Sequence, residues 1–511
     1  MSPRPRLLYF NGPFDYLGER LIISYIEPFR RLLDQDFEVV SVEGDRDFAV
    51  EVKRHAPDLV LFHGGVESPK EREVTIRNTD KFPEIPRLGW MFRDPFSPSR
   101  RNSMNRFREW GVNQVVADFR ASDCPIPFFK DSLYLPWWIE DEVFRDYGEK
   151  KTLPITLTGS GWLQRQFYDW RLPIFLKLAE KLPLYHVPAF ETHIKNDAYV
   201  GEPYARLLNR SHFSAGCGTV SRFLTLKLLE IPAARCCLIT EETEVLKAMG
   251  FADGVNCVFA TPDNVVPKVQ ALMEDAARLQ TITDAGHAIV HGAHTRKHRR
   301  LFAEWLQLWK AKRPGERIVQ PHPFEPLRLA AADAPGELRF PTENPLTEAL
   351  VEGYRLLDAG QPGEARPKFE WVINIIPHVA EARVGLALCL LRAGDLALAC
   401  RQLEHVLYVQ RELCNYRCPD PVSISLHAVL SARLGELGPA ANLLAATATM
   451  KHPAVNAMRW LFGQTWPELR RKHAAFRDAR GDESQNSETT HLLPLRSFDE
   501  WLGLWSPLVK A

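Results

Sequence analysis

Short apolar runs alternate with amphipathic segments through the first 312 residues, and this alternation constrains the fold more than any other feature of the chain. Arg6–Phe10, Phe37–Val42, Asp58–Phe62 and Leu88–Phe92 read as strands, with shorter ones at Val112–Ala117 and Ser132–Leu135. Between them, Glu19–Leu33 puts Leu21, Ile22, Tyr25, Ile26, Phe29 and Leu33 on one helical side, and Phe48–His55 is a short helix. Strands that take turns with helices form a parallel, doubly wound sheet. Ligands bind beyond the carboxyl ends of such strands. That singles out the loops Asn11 to Asp15, His63 to Gly65 and Arg93-Asp94, each of which has an ordinary structural turn as its alternative.

A second α/β unit follows, from about Thr152 to Lys312. The strand Pro154–Leu157 runs into Thr158-Gly159-Ser160-Gly161, a glycine-rich turn of the kind that faces phosphate. Arg165 and Arg171 follow it and suit bidentate contact with phosphate oxygens. The stretch Tyr199 to Thr240 then reads as helix, strand, glycine-rich loop, helix and strand. Its loop is Ala215-Gly216-Cys217-Gly218-Thr219, with Ser221 as N-cap of a helix from Arg222 to Ile231. Exposed backbone N–H groups at a helix start favour an anion, so Thr219, Ser221 and Arg222 are expected to hold a phosphate. Lys227 and Glu230 sit one turn apart on that mostly apolar helix, where buried charge demands a ligand or a partner. Glu230 suits a polar group such as a ribose; the alternative is an internal Lys227–Glu230 ion pair. Neither GxGxxG nor GxxxxGK[ST] occurs.

Two metal-like patterns are weaker. Asp45-Arg46-Asp47 follows a strand and offers paired carboxylates to a hard cation, but a solvated turn explains three residues equally well. His287, His291, His294 and His298 share one helical face, yet Gly292 interrupts the helix and no acidic partner accompanies them. No metal site is expected from either pattern. Lys plus Arg and Asp plus Glu number 64 each, a balance that argues against a general nucleic-acid binder. The nine cysteines include no CxxC pair, and Cys414 and Cys418 are four apart, so free thiols in a reducing cytoplasm are expected. The start of the chain has too short an apolar run for a signal peptide, and no segment reaches the ~18 apolar residues of a membrane span.

The second unit resembles bacterial group 1 glycosyltransferases, most nearly the branch related to spore maturation (CgeB-like) proteins. The residues that carry the resemblance are Gly201 through Ser211 (GEPYARLLNRS), Arg222-Phe223 and Lys227 through Ala233 (KLLEIPA). Leu135-Pro136-Trp137-Trp138-Ile139, Leu157 to Ser160 and His294-Thr295 with His298-Arg299 support it. The likeness covers about residues 5–312 and is vaguer in the first unit. It implies a GT-B fold of two doubly wound Rossmann-like domains, 1–150 on the acceptor side and 151–312 for a nucleoside diphosphate sugar donor. It implies no cofactor and no metal, since basic side chains and a helix N-terminus can stabilise the leaving diphosphate. The glutamate matching Glu230 is expected on the donor ribose. Asn11, Gly12, Gly159, Ser160, Arg165, Tyr204, Thr219, Ser221, Arg222, Phe223 and Lys227 complete the expected substrate contacts. An inverting reaction needs a base in the first domain, for which Asp15, His63 and Asp94 are the candidates. Many members carry a second glutamate eight residues before the first; this chain has Arg222 there, which leaves the stereochemical outcome open.

The rest of the chain reads as all-α. Residues 313–345 hold seven prolines and read as an irregular linker. Gly360, Gly394 and Gly435 then each precede an alanine by five residues, Ala365, Ala399 and Ala440. The first two units are 34 residues apart, the period of tetratricopeptide repeats, and the third is offset by 41. Such arrays, here over residues 346–470, present a surface suited to a protein or peptide acceptor, or to pairing of two copies in a homodimer. Residues 481–490 read as disordered, and the apolar patch of Phe498, Trp501, Leu502 and Trp505 as a segment that docks back or binds a partner. The reading is a glycosyltransferase whose acceptor is a protein, flagellin-like or another surface protein. The alternatives are a degenerate transferase fold that scaffolds partners, and a transferase building surface polysaccharide.

Overall fold

The computed structural model describes residues 3–12, 14–17, 21–65, 74–92, 96–97, 100–120, 126–159, 167–187, 200–334, 344–413, 420–447, 450, 452–477 and 497–510. The disorder expected at 481–490, and Cys414 and Cys418, lie outside these residues.

The amino-terminal strands are β1 (Arg6–Asn11), β2 (Glu38–Glu43), β3 (Arg46–Asp47), β4 (Leu59–His63), β5 (Ile76–Arg77), β6 (Arg87–Met91), β7 (Gln114–Ala117) and β8 (Leu133–Tyr134). β3 pairs with β5, and the other six form one sheet in the order β2-β1-β4-β6-β7-β8. Every pairing in that sheet is parallel. β4 and β6 are buried at every residue, which is why their sequences are near-continuous apolar runs: helices cover both faces of a parallel sheet. The second sheet is also parallel, with β9 (Leu153–Thr158), β10 (Tyr185–Val187), β11 (Ser211–Ala215), β12 (Cys237–Thr240) and β13 (Val258–Phe259) in the order β10-β9-β11-β12-β13. Strand order reverses between β1 and β4 in the first sheet and between β9 and β11 in the second. Crevices for ligands open at such reversals, so Asn11, His63, Gly159 and Gly216 stand at the two switch points.

The helix expected over Glu19–Leu33 has an internal irregularity. Residues Ile22–Ile26 wind as a π-helix, and Glu27–Asp34 continues as α-helix. Pro28 cannot donate to the ladder, and the Glu27 N–H reaches back five residues to the Ile22 carbonyl. Asp47 caps the helix Phe48–His55 by accepting from the Val50 N–H, and Asp45 accepts from the Thr75 N–H at 2.8 Å. The Asp45-Arg46-Asp47 carboxylates are thus engaged in structure.

Two expectations about the domain boundary need correction. The last helix of the second unit, expected over Thr295–Lys312, begins as a 3-10 turn at Arg296–His298 and continues as Leu301–Ala311. It packs on the first domain. Phe302 meets Phe29 at 5.8 Å between ring centres, Trp305 donates to Gln114 at 2.7 Å, and Lys310 pairs with Asp58. The stretch expected as an irregular linker carries an antiparallel hairpin, β14 (Glu316–Val319) with β15 (Arg328–Ala331). Gln320, just beyond β14, bonds both the N–H and the carbonyl of Tyr134 in β8. The chain therefore crosses from the first sheet to the second and returns.

Helices then follow in consecutive pairs: Pro345–Asp358 with Pro362–Ile375, Ala380–Arg392 with Leu396–Tyr408, and Pro421–Arg433 with Leu437–Ala446. Gly360, Gly394 and Gly435 end the first helix of each pair with φ of +76°, +84° and +91°, a region costly for any side chain. This is the physical reason for the glycine period seen in the sequence. Gly353 and Gly385 leave room for the Phe369 ring, which a β-carbon at either position would strike. The final helix Phe498–Lys510 docks back: Trp501 and Trp505 stack at 5.0 Å, and the Trp505 indole donates to the Ala454 carbonyl. Among the described residues, no helix is long and apolar enough to cross a membrane.

Candidate active site

A cavity of about 250 Å³ opens between the two parallel-sheet domains. The π-helical turn supplies one wall through Ile23, Ser24, Tyr25 and Pro28. π-turns recur at functional sites, because they reposition side chains that a regular helix would hide. The domain crossing supplies Trp137, Trp138 and Glu140, and the second domain supplies Gly159, Tyr168, Arg171, Tyr204, Thr225, Lys227 and Glu230. Glu140 ties the walls together, accepting from Arg31 Nε at 2.7 Å, Trp138 Nε1 at 3.1 Å and Arg296 Nη1 at 3.3 Å.

The floor is cationic. Strand β9 ends at Gly159, whose φ is +104°. A β-carbon there would lie 2.6 Å from Lys227 Nζ and 3.1 Å from an Arg171 guanidinium nitrogen. Both positive groups therefore converge on backbone that only glycine leaves open. Lys227 Nζ donates to the Thr158 carbonyl at 2.8 Å, Tyr204 Oη and Thr158 Oγ1 are 3.2 Å apart, and Arg171 stacks on the Tyr168 ring at 3.8 Å. Glu230, only 9% exposed, stands one turn beyond Lys227 on the same wall. Two cations beside a backbone turn, with a carboxylate on the same wall and aromatic rings flanking them, suit an anionic ligand with a polar hydroxylated part. Burial pushes the nearby Cys217 thiol up to about 11, so it stays protonated and is no nucleophile.

The glycine-rich loop does not make the phosphate cradle expected of it. The helix begins at Lys227, not Arg222, and runs to Ala233. Arg222 adopts φ +58° and forms a bidentate pair with Asp169 at 2.8 and 3.0 Å, with Glu241 a further 3.1 Å away. Glu241 also accepts the Gly218 N–H at 2.9 Å. A carboxylate of the chain itself thus takes up the Gly218 N–H and the Arg222 guanidinium. Thr219 Oγ1 accepts the Ser221 N–H; Ser221 is fully buried and caps no helix. Phe223 packs toward the first domain, its ring 6.3 Å from Phe119. None of Thr219, Ser221, Arg222 or Phe223 lines the cavity.

Of the expected contacts, Gly159, Tyr204, Lys227 and Glu230 come together; Asn11, Gly12, Asp15 and His63 lie outside the lining. Asn11 donates to Glu43, Gly12 packs against the Phe14 ring, and Asp15 is exposed on a 3-10 turn. His63 is buried, with its ring against Phe14 and its Nδ1 accepting the Gly65 N–H at 2.9 Å. Neutral His63 then carries its proton on Nε2 and presents a donor, which does not suit a general base. Asp94, Ser160 and Arg165 lie outside the described residues. Sequence reasoning passed over Tyr25, Tyr168 and Glu140; the adjacent Trp137-Trp138 at the domain crossing was the signal that pointed there.

The four histidines form a latch. His287 Nδ1 and His291 Nε2 both reach the Ala233 carbonyl, and His298 Nδ1 meets Thr295 Oγ1. His294 Nε2 bonds the Met249 carbonyl, and burial with the nearby Arg299 lowers its pKa to about 4, so it stays neutral. Arg299 itself bonds the carbonyls of Pro136 and Trp137. The segment fastens the crossing that builds one cavity wall.

A sequence profile for the family described as Glycosyl transferase-like matches residues 142–307, which contain most of this site. No curated protein matches the chain. Among solved structures, Anabaena HepE in complex with UDP-glucose is 12% identical, with 59% of this chain and 99% of that one covered and a TM-score of 0.39. Sucrose-phosphate synthase from Thermosynechococcus elongatus is 10% identical over 60% and 100%, with a TM-score of 0.40. The TPR domain of Arabidopsis FLU is 20% identical over 20% and 89%, with a TM-score of 0.17.

Proposed function

We propose that the chain is a GT-B glycosyltransferase that moves a sugar from a nucleoside diphosphate sugar to an acceptor. The observation that carries the reading is the convergence of Lys227 and Arg171 on Gly159, inside the segment that matches the glycosyltransferase-like profile. In this reading the two cations take up the charge of the diphosphate as it leaves, a task that fixed cations perform without a metal. Glu230 accepts hydrogen bonds from the ribose hydroxyls, and Tyr25, Trp137 and Tyr168 offer faces for the base and the sugar. The acceptor enters from the first domain. The helical array, read as tetratricopeptide-like, presents a protein acceptor, and the sequence resemblance to CgeB-like proteins supports the same reading. Buried free thiols at all six described cysteines accord with work in the cytoplasm.

The test is turnover. The full chain, given UDP-, GDP- and dTDP-sugars with protein and glycan acceptors, is expected to release nucleoside diphosphate from one donor and to label one acceptor class. Nucleotide binding without release from any donor would overturn the enzymatic reading in favour of a scaffold.

A further inference from the structure

The helical array holds a group of side chains that the cleft does not use. Cys400 and Glu404 lie one turn apart on the helix Leu396–Tyr408, and His427 faces them from the neighbouring helix Pro421–Arg433. Cys400 Sγ is 3.8 Å from Glu404 Oε1, His427 Nε2 is 3.9 Å from the same oxygen, and all three donor atoms lie within 4.8 Å of one another. Donors around a tetrahedral zinc ion are about 3.5 Å apart, given bonds of about 2.0–2.3 Å. Exposed Glu404 and half-buried His427 can make the small side-chain shifts that remain.

We propose that Cys400, Glu404 and His427 bind a divalent transition metal of the zinc class, leaving a fourth position for water. Ser431, one turn beyond His427 and buried, supports the arrangement. Its hydroxyl is 3.4 Å from His427 Nδ1 and 3.8 Å from Cys400 Sγ. Accepting from Nδ1–H, it fixes the tautomer that turns the Nε2 lone pair toward the other two donors, as outer-sphere partners of metal-bound histidine do. Glu404 and Glu436 add negative charge around both Cys400 and His427. Metal binding replaces the Cys400 thiol proton with a metal–sulfur bond and releases that proton to solvent. A thiolate, an imidazole and one carboxylate favour zinc or cobalt over calcium or magnesium. The ion would clamp two helices of the array.

Metal-free full-length protein titrated with Co2+ is expected to bind one ion and to show thiolate-to-cobalt charge-transfer absorption, with Zn2+ then displacing the cobalt. Cys400→Ser should abolish that absorption. Glu404→Gln, an exposed change that leaves the fold intact, should weaken Zn2+ at least about ten-fold. Cobalt binding without the thiolate band, no binding at all, or Zn2+ affinity equal in wild type and Glu404→Gln would overturn the proposal.

Discussion

Replacing Lys227 by alanine is expected to lower the rate of sugar transfer at saturating donor by about 10²–10³-fold, the usual consequence of removing one fixed group that stabilises charge in a transition state. Lys227 Nζ is anchored on the Thr158 carbonyl at 2.8 Å and aimed over Gly159, beside Arg171. Anchoring matters because a cation already in place need not reorganise when charge develops. The informative control is Arg222→Ala. Arg222 is bound to Asp169 and Glu241, and its pKa is raised because those carboxylates outweigh the effect of burial. Its loss removes a guanidinium from the buried Glu241 and is expected to lower the melting temperature more than the variant at Lys227 does. Initial rates with thermal melts for both variants check the assignment. Transfer unaffected in Lys227→Ala would place the leaving-group site elsewhere.

Removing the carboxylate of Glu381 is expected to be the most destabilising single change, at about 3–5 kcal/mol. Glu381 is fully buried and pairs with Arg100, also buried, joining the helix Arg100–Glu109 of the first domain to the helix Ala380–Arg392 of the array. Glu381→Ala leaves the Arg100 guanidinium away from water without this carboxylate. The double change Arg100→Met with Glu381→Leu removes both charges and should recover most of the loss, since apolar replacements of a buried pair are often neutral or better. Denaturant unfolding of the two proteins measures this. A single variant within about 0.5 kcal/mol of wild type would show that the array is not held by this pair.

The strands were legible because parallel strands buried on both faces are mostly apolar, as Leu59–Phe62 and Leu88–Met91 are. Their carboxyl ends were legible with them, so Gly159 was singled out, as were Arg171 after it and Lys227 on a later helix. Their meeting was not legible. Arg171 opens the helix Arg171–Lys181 and Lys227 the helix Lys227–Ala233, and the two reach Gly159 together only in the folded chain. The partner of the glycine-rich loop was not legible, because Glu241, which accepts the Gly218 N–H, lies well beyond it in sequence. Pattern alone cannot tell a cradle for a ligand from one for the chain's own carboxylate. The contact of the helix Leu301–Ala311 with the first domain was not legible for a similar reason: its apolar face is local information, but its partner Phe29 is not.

The cavity floored by Gly159, Lys227 and Arg171 is expected to take a nucleoside diphosphate with Glu230 at the ribose. The measurement that tests it most directly is the melting temperature of the full chain with UDP, GDP, dTDP and CMP, beside Glu230→Ala. Binding to the folded state alone stabilises by about 2.7 kcal/mol at a ligand concentration one hundred times Kd. One nucleotide should raise the melting temperature of the wild type, and Glu230→Ala should lose that rise while folding normally. A rise of equal size in the variant, or none with any nucleotide in a folded wild type, would contradict the claim.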